Sequence, residues 1–120
     1  EKRQVQKHYL AIAHGIAPFP TFTIRTPIDN KTALTQVEVL KQHEVCFLLR
    51  AQILTGRHHQ IRIHMSREGH PLLGDHQYVG LKPIPTEVSF PRVALHAESL
   101  QLPEGEVYKA PAPEDFKLWM

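Results

Sequence analysis

Between Thr35 and Leu54 the chain carries two adjacent runs that a β-sheet buries far better than a helix could. In TQVEVL (Thr35 to Leu40), Val37 and Val39 alternate with Gln36 and Glu38, which turns one face to a core and the other to water. Val45 to Leu54 is more continuously apolar and predicts a central strand. The polar stretch Lys41 to Glu44 between them predicts an antiparallel hairpin. Lys7 to His14 (KHYLAIAH) predicts another strand, stopped at Gly15. Pro18 and Pro20 separate it from TFTIRTPI (Thr21 to Ile28), where Phe22 and Ile24 alternate with Thr and Arg as in a half-buried strand. Asp29, Asn30 and Lys31 then predict a turn.

The pattern changes at Thr55 and Gly56, which read as a loop. From His58 to Arg67, Ile61 and Met65 stand at i and i+4, and Gly69 and Pro71 follow. A short helix with a glycine stop is expected. Gly74 to Pro91 is rich in Gly and Pro and reads mostly as loop. Leu95 to Leu102 and Glu106 to Lys109 predict a last strand pair around Pro103 to Gly105, and APAPEDF (Ala110 to Phe116) the start of a terminal helix. The expected class is α+β: a mainly antiparallel or mixed sheet with a few short helices.

The 120 residues fit one domain or a piece of one. Charged residues make up 22% and apolar residues 42%, so wholesale disorder is excluded. The formal net charge of +2 does not by itself announce a nucleic-acid partner, because the distribution of charge matters more than its sum. Cys46, the only cysteine, lies in the apolar run VCFLL and reads as a small buried hydrophobe that fits a reducing compartment. No apolar stretch is long enough to span a bilayer, and EKRQVQKHY lacks the apolar core of a signal peptide. A cytoplasmic protein without a membrane partner is the expectation.

The densest chemistry lies in LTGRHHQIRIHMSREGHPLLGD, Leu54 to Asp75. Arg57, His58, His59, Arg62, His64 and Arg67 fall within this stretch. On a helix anchored inward by Ile61 and Met65, the Arg62 guanidinium is expected to reach an open cleft. Cations beside a Thr-Gly loop suit phosphate oxygens, because arginine presents a planar fork of donors, and Gly56 lets backbone approach a ligand. Taken without any further pattern, the charge run reads as a solvated basic helix, Arg62 as a surface arginine and Tyr9 as an ordinary strand tyrosine. Asp75 reads as a turn or capping residue.

The order of the residues is more specific than their charge. TGRHHQIRIHM resembles the T-G-R-x-H-Q-I-R-x-H-[LM] signature of RluA-type RNA pseudouridine synthases, and GHPLLGDHQYVG resembles that family's G-H-P-I-x-G-D-x-x-Y-G continuation. QKHYLAIAHG resembles its K-x-Y-x-A strand, RVALHAESLQL its L-H-A-x-x-L segment, and APAPEDF its A-P-x-P-x-D-[FL] ending. The five ordered matches cover most of the chain.

The resemblance implies the pseudouridine synthase catalytic fold and isomerisation of uridine to pseudouridine in a structured RNA, ribosomal or transfer, with no cofactor or metal. It implies that the base is flipped into a pocket, at a cost of about a few kcal/mol of unstacking. Tyr9 matches the tyrosine that packs against the flipped base, and a ring with a polar tip suits that place. Arg62 matches the arginine that pairs with the catalytic aspartate and keeps it ionised. Thr55, Gly56, Arg57, His59, Gln60 and Ile63 match positions that build the substrate pocket, Ile63 as an apolar wall. His59 and His64 read equally as structural.

One departure limits the resemblance. The family's nucleophilic aspartate stands in an H-R-L-D-x-x-T-S-G motif ahead of the K-x-Y strand, and Asp29, Asp75 and Asp115 have no such context here. The expectation is that residues 1–120 are the C-terminal portion of a catalytic domain, inactive alone and partnered by the missing N-terminal portion. The alternative is a non-catalytic RNA-binding module of the same fold. The nine histidines raise the question of a metal site, but the five-residue step from His59 to His64 is not the i, i+4 pair of a helical zinc site, and none is expected.

Overall fold

The computed structural model describes residues 6–79, 89–102 and 104–120. The expected loop over 80–88 and the turn position of Pro103 lie outside them. The elements in chain order are β1 (Gln6–His14), β2 (Thr21–Ile24), β3 (Thr35–Gln42), β4 (Cys46–Ile53), α1 (Gln60–Arg67), β5 (Leu95–Gln101), β6 (Val107–Lys109) and α2 (Glu114–Lys117). The strands form one six-stranded sheet in the order β2-β3-β4-β1-β5-β6. Every strand pairing is antiparallel. The fold is therefore α+β, as the alternating runs require.

The hairpin forms where it was expected, and β4 lies inside the sheet between β3 and β1. Because side chains alternate along a strand, the sheet has two distinct faces. On one, Ala11, Ala13, Val37, Phe47, Leu49, Ala51 and Ile53 pack with Ile61 and Met65 of α1, and Tyr9 lies against this cluster. On the other, Leu10, Ile12, Cys46 and Leu48 are covered by Leu73, Ala94 and Phe116, with Trp119 and Phe90 beside them. Cys46 is fully enclosed, as a small hydrophobe should be. Among the described residues no helix is long and apolar enough to cross a membrane.

Two boundaries differ from expectation. The strand predicted over Thr21 to Ile28 ends at Ile24, because Pro27 cannot donate to a ladder and the Thr26 carbonyl is given to a histidine instead. Ile28 and Lys31 then close a two-residue turn with both bonds at 3.0 Å, and Asp29 and Asn30 take left-handed backbone. The helix predicted from His58 starts at Gln60, since His59 itself is left-handed (φ 54°). Its end follows the expectation: Gly69 is left-handed and Arg67 lies in the last turn.

The chain after α1 is tied into the sheet. Beyond β5, the edge of β1 is completed by His14 N–H to Pro71 O (2.9 Å) and Leu73 N–H to Ile12 O (2.8 Å). Leu72 and Leu73 therefore point to opposite faces and enter opposite cores. Gly74 follows with φ 76°, and a β-carbon there would lie 1.9 Å from the Arg92 carbonyl oxygen, so only glycine fits. This fixes where the next residue, Asp75, must sit.

Two buried histidines carry a pH signature. Burial pushes both His14 and His64 below the usual histidine range, and the Thr26 carbonyl opposes this at His64 only in part. Arg67 also lowers His64, and Glu68 raises it. The unfolded chain binds protons first, so this stability is complete above about pH 6.5 and is lost as pH falls through that value. The denaturation midpoint in urea is expected to drop between about pH 7.5 and 5.5. The His64→Gln variant should be weaker at pH 7.5, by about 1–3 kcal/mol, yet have a shallower slope across that window. Equal slopes for the two proteins would contradict this assignment.

Candidate functional site

The loop ahead of α1 is held by one side chain. The Gln60 amide is buried and spends all its capacity inside the protein. Its Oε1 accepts from the Thr55 hydroxyl (2.7 Å) and the Arg57 N–H (3.1 Å). Its Nε2 donates to Leu34 O (2.8 Å) and Thr35 Oγ1 (2.9 Å). Thr55 Oγ1 in turn accepts from Leu34 N–H at 3.2 Å. One helical turn on, His64 is fully enclosed. Its Nε2 lies 2.7 Å from Thr26 O and its Nδ1 2.8 Å from Thr35 Oγ1. A carbonyl can only accept, so a neutral His64 carries its proton on Nε2 and accepts the Thr35 hydroxyl proton at Nδ1. Thr35 thus joins Gln60 to His64, and α1 is docked to the start of β3 by a closed chain of hydrogen bonds.

This sorts the residues singled out from sequence. Thr55 and Gln60 build the loop and have their polar groups satisfied within it. His64 is structural. Arg57 donates from Nε to Thr32 O (2.8 Å), which steadies its stem. Gly56 has no neighbour among the described residues within 4 Å of a built β-carbon, so the space beside it is open. Ile63 is half-buried on α1. His59 places Nδ1 2.9 Å from the Tyr78 hydroxyl and stacks on exposed His58, ring centroids 3.7 Å apart. Partial burial, His58 and Arg62 lower its proton affinity, opposed by Asp75.

Arg62 departs from expectation. Its guanidinium does not reach freely into a cleft but is clamped by Asp75. Nε donates to Oδ2 at 2.9 Å and Nη2 to Oδ1 at 3.0 Å, with Nη2 also 3.4 Å from Gln77 Oε1. The Arg62 side chain is 15% exposed and that of Asp75 0%. Asp75 also behaves as the turn residue it was read to be, since Oδ1 accepts the backbone N–H groups of Gln77 (3.1 Å) and Tyr78 (3.0 Å). Burial alone pushes the Asp75 carboxyl upward. The Arg62 guanidinium and the Tyr78 and Gln77 amides outweigh it and hold the carboxyl below the usual range. The Tyr78 ring lies under the guanidinium, 4.9 Å from centroid to Cζ.

Tyr9 is half-buried on the sheet face that α1 covers. It borders a cleft of about 370 Å³ with Lys7, Ala97, Leu100 and Tyr108. Arg62 is not among the residues lining that cleft, so the described residues bring the two to one face but not into one cavity.

A profile of the RNA pseudouridylate synthase family matches residues 1–67. The chain belongs to the RNA pseudouridylate synthase family. The ribosomal large subunit pseudouridine synthase D of Pseudomonas aeruginosa is 39% identical over 148 positions, covering 100% of this chain and 46% of that protein. The enzyme of the same name from Nitrosomonas europaea is 34% identical over 137 positions, covering 96% of this chain and 40% of that protein. The alignments are longer than the chain, so these pseudouridine synthases hold extra residues within the matched stretch. Among solved structures, human RNA pseudouridylate synthase domain containing 1 superposes with a TM-score of 0.76 at 28% identity, covering 95% of this chain and 56% of that one. Human RNA pseudouridylate synthase domain containing 4 gives the same TM-score at 26% identity, covering 96% of this chain and 60% of that one. The chain spans less than half the length of the two bacterial relatives.

Sequence reasoning missed Asp75 as the partner of Arg62 and Tyr78 as its ring platform. The Gly-Asp-x-x-Tyr spacing was the available signal, because an aspartate that caps amides two and three residues on must face back along its own turn. The Gln60 assignment is directly testable. Gln60→Ala leaves the partners of its four bonds unmatched and should lower stability by about 2–4 kcal/mol in urea unfolding. A loss below about 0.5 kcal/mol, the range of an ordinary surface change, would show that Gln60 does not hold the loop.

Proposed function

We propose that the protein carrying this chain isomerises uridine to pseudouridine in a structured RNA, and that residues 1–120 form the C-terminal portion of its catalytic domain. The observation that carries this reading is a rigidly held arginine on α1, within a family-matched fold, at the position where the resemblance puts the arginine of the reaction. The reaction breaks the bond from the ribose to N1, turns the base and bonds C5 to the ribose; C5 loses a proton and N1 gains one. Atoms and electrons balance without an added reagent.

None of the three aspartates fits the attacking role. Asp75 is enclosed and meets four donors. Asp115 is paired with Arg92 at 3.1 Å. Asp29 lies in the left-handed turn after Ile28. We therefore assign the nucleophile to the portion of the protein outside residues 1–120. Arg62 is the cation offered to that carboxylate, Arg57 is one offered to RNA phosphates, and Tyr9 packs against the flipped base. The names of the bacterial relatives favour ribosomal over transfer RNA, and we infer a cytoplasmic protein. The same lack of a suitable aspartate favours one second reading, an RNA-binding module of this fold that grips without catalysis. Its binding should weaken steeply with salt, because phosphate contacts release counterions.

The test is pseudouridine formation by the full-length parent on large-subunit ribosomal RNA fragments. Arg62→Ala should lower turnover on the order of 100-fold or more, and Tyr9→Phe should lower it measurably. Full activity in both variants would sink the role assignments. An inactive parent that binds the RNA in a salt-dependent way would favour the binding module.

A further inference from the structure

The Arg62 guanidinium is anchored along one edge only. Asp75 takes the Nε–Nη2 edge with bonds of 2.9 and 3.0 Å, and the Tyr78 ring covers one face at 4.9 Å. Among the described residues no acceptor meets Nη1. We propose that Asp75 and Tyr78 are positioning residues that hold Arg62 so that Nη1 is presented to a second carboxylate, that of the nucleophile. This rests on the function proposed above.

The clamp is built to be stiff. Asp75 cannot swing, because its Oδ1 is also held by the Gln77 and Tyr78 amides and its side chain is fully enclosed. The backbone ahead of it is pinned through Leu73 to β1 and through a glycine that no other residue can replace. A lone arginine would lose rotamer freedom when it met its partner; here that freedom is already spent in folding. The Tyr78 hydroxyl is tied to His59 Nδ1 at 2.9 Å, which restrains the ring beside the guanidinium. Asp75 also shares the arginine's charge. A carboxylate arriving at Nη1 therefore meets a partly neutralised cation that orients it, and its own proton affinity depends on Asp75. An RNA phosphate at Nη1 would instead draw on the same edge for binding.

The experiment compares the full-length parent with its Asp75→Asn and Tyr78→Leu variants, measuring pseudouridine formation against pH and RNA concentration. Asp75→Asn keeps the shape and the amide-capping oxygen but removes the charge and the acceptor for Nε. We expect kcat to fall on the order of 10- to 100-fold, KM to stay within about threefold, and the acid limb of the kcat–pH profile to move from its wild-type position. Tyr78→Leu, which leaves the ion pair, should show the same split to a smaller extent. An unmoved acid limb, a loss confined to KM as for a phosphate contact, or a loss that only tracks the unfolded fraction in melting curves would each overturn the proposal. An inactive wild-type parent defeats the proposed function and this inference together. An active wild type with an unaffected Asp75→Asn variant defeats this inference alone.

Discussion

The docking of α1 onto the start of β3 by buried hydrogen bonds is the constraint on which the site depends. Ile61 and Met65 supply the apolar contact, but two side chains sliding on a sheet do not fix a helix about its own axis. The chain Gln60 to Thr35 to His64 to Thr26 does, because each member has a partner at hydrogen-bond distance. Buried polar networks are costly when half satisfied and specifying when complete. This one is complete, and it sets both where α1 begins and which way Arg62 leaves it.

The ion pair beyond it has a different character. Enclosing a carboxylate costs several kcal/mol before any attraction is counted, so the Arg62–Asp75 pair is weak grounds for stability in itself. Its arrangement makes better sense as geometry. Both aspartate oxygens and one edge of the guanidinium are committed, a glycine fixes the carboxylate's backbone, and one edge of the arginine is left over. A helix and a loop that could otherwise move apart are joined at the charge the reaction is proposed to use.

Much of the fold was legible because its signals are local. Alternation in Thr35 to Leu40, the apolar run after Val45, and the i, i+4 pair ended by Gly69 each report on residues close in sequence, and each element formed there. The errors also have local causes: Pro27 shortens β2, and the left-handed His59 delays α1. The site was legible in part. The ordered motif identified Arg62 and Asp75 separately, and the turn role of Asp75 could be read from its neighbours. Their pairing could not, because it joins a helix to a loop thirteen residues on through the threading of Leu72 and Leu73 between the two cores. The part Gln60 plays in holding the loop could not be read for the same reason, since two of its partners, Leu34 and Thr35, lie outside its own segment.

The central claim is that these residues hold the arginine half of a uridine-isomerising site whose nucleophile lies elsewhere in the protein. A crystal structure of the full-length parent tests it most directly. We expect an aspartate carboxylate from outside residues 1–120 within hydrogen-bond reach of Arg62 Nη1, about 2.7–3.2 Å, with Asp75 still holding Nε and the Tyr9 ring facing the same space. An Arg62 whose Nη1 meets only solvent or an RNA phosphate, with no second carboxylate near it, would contradict the claim.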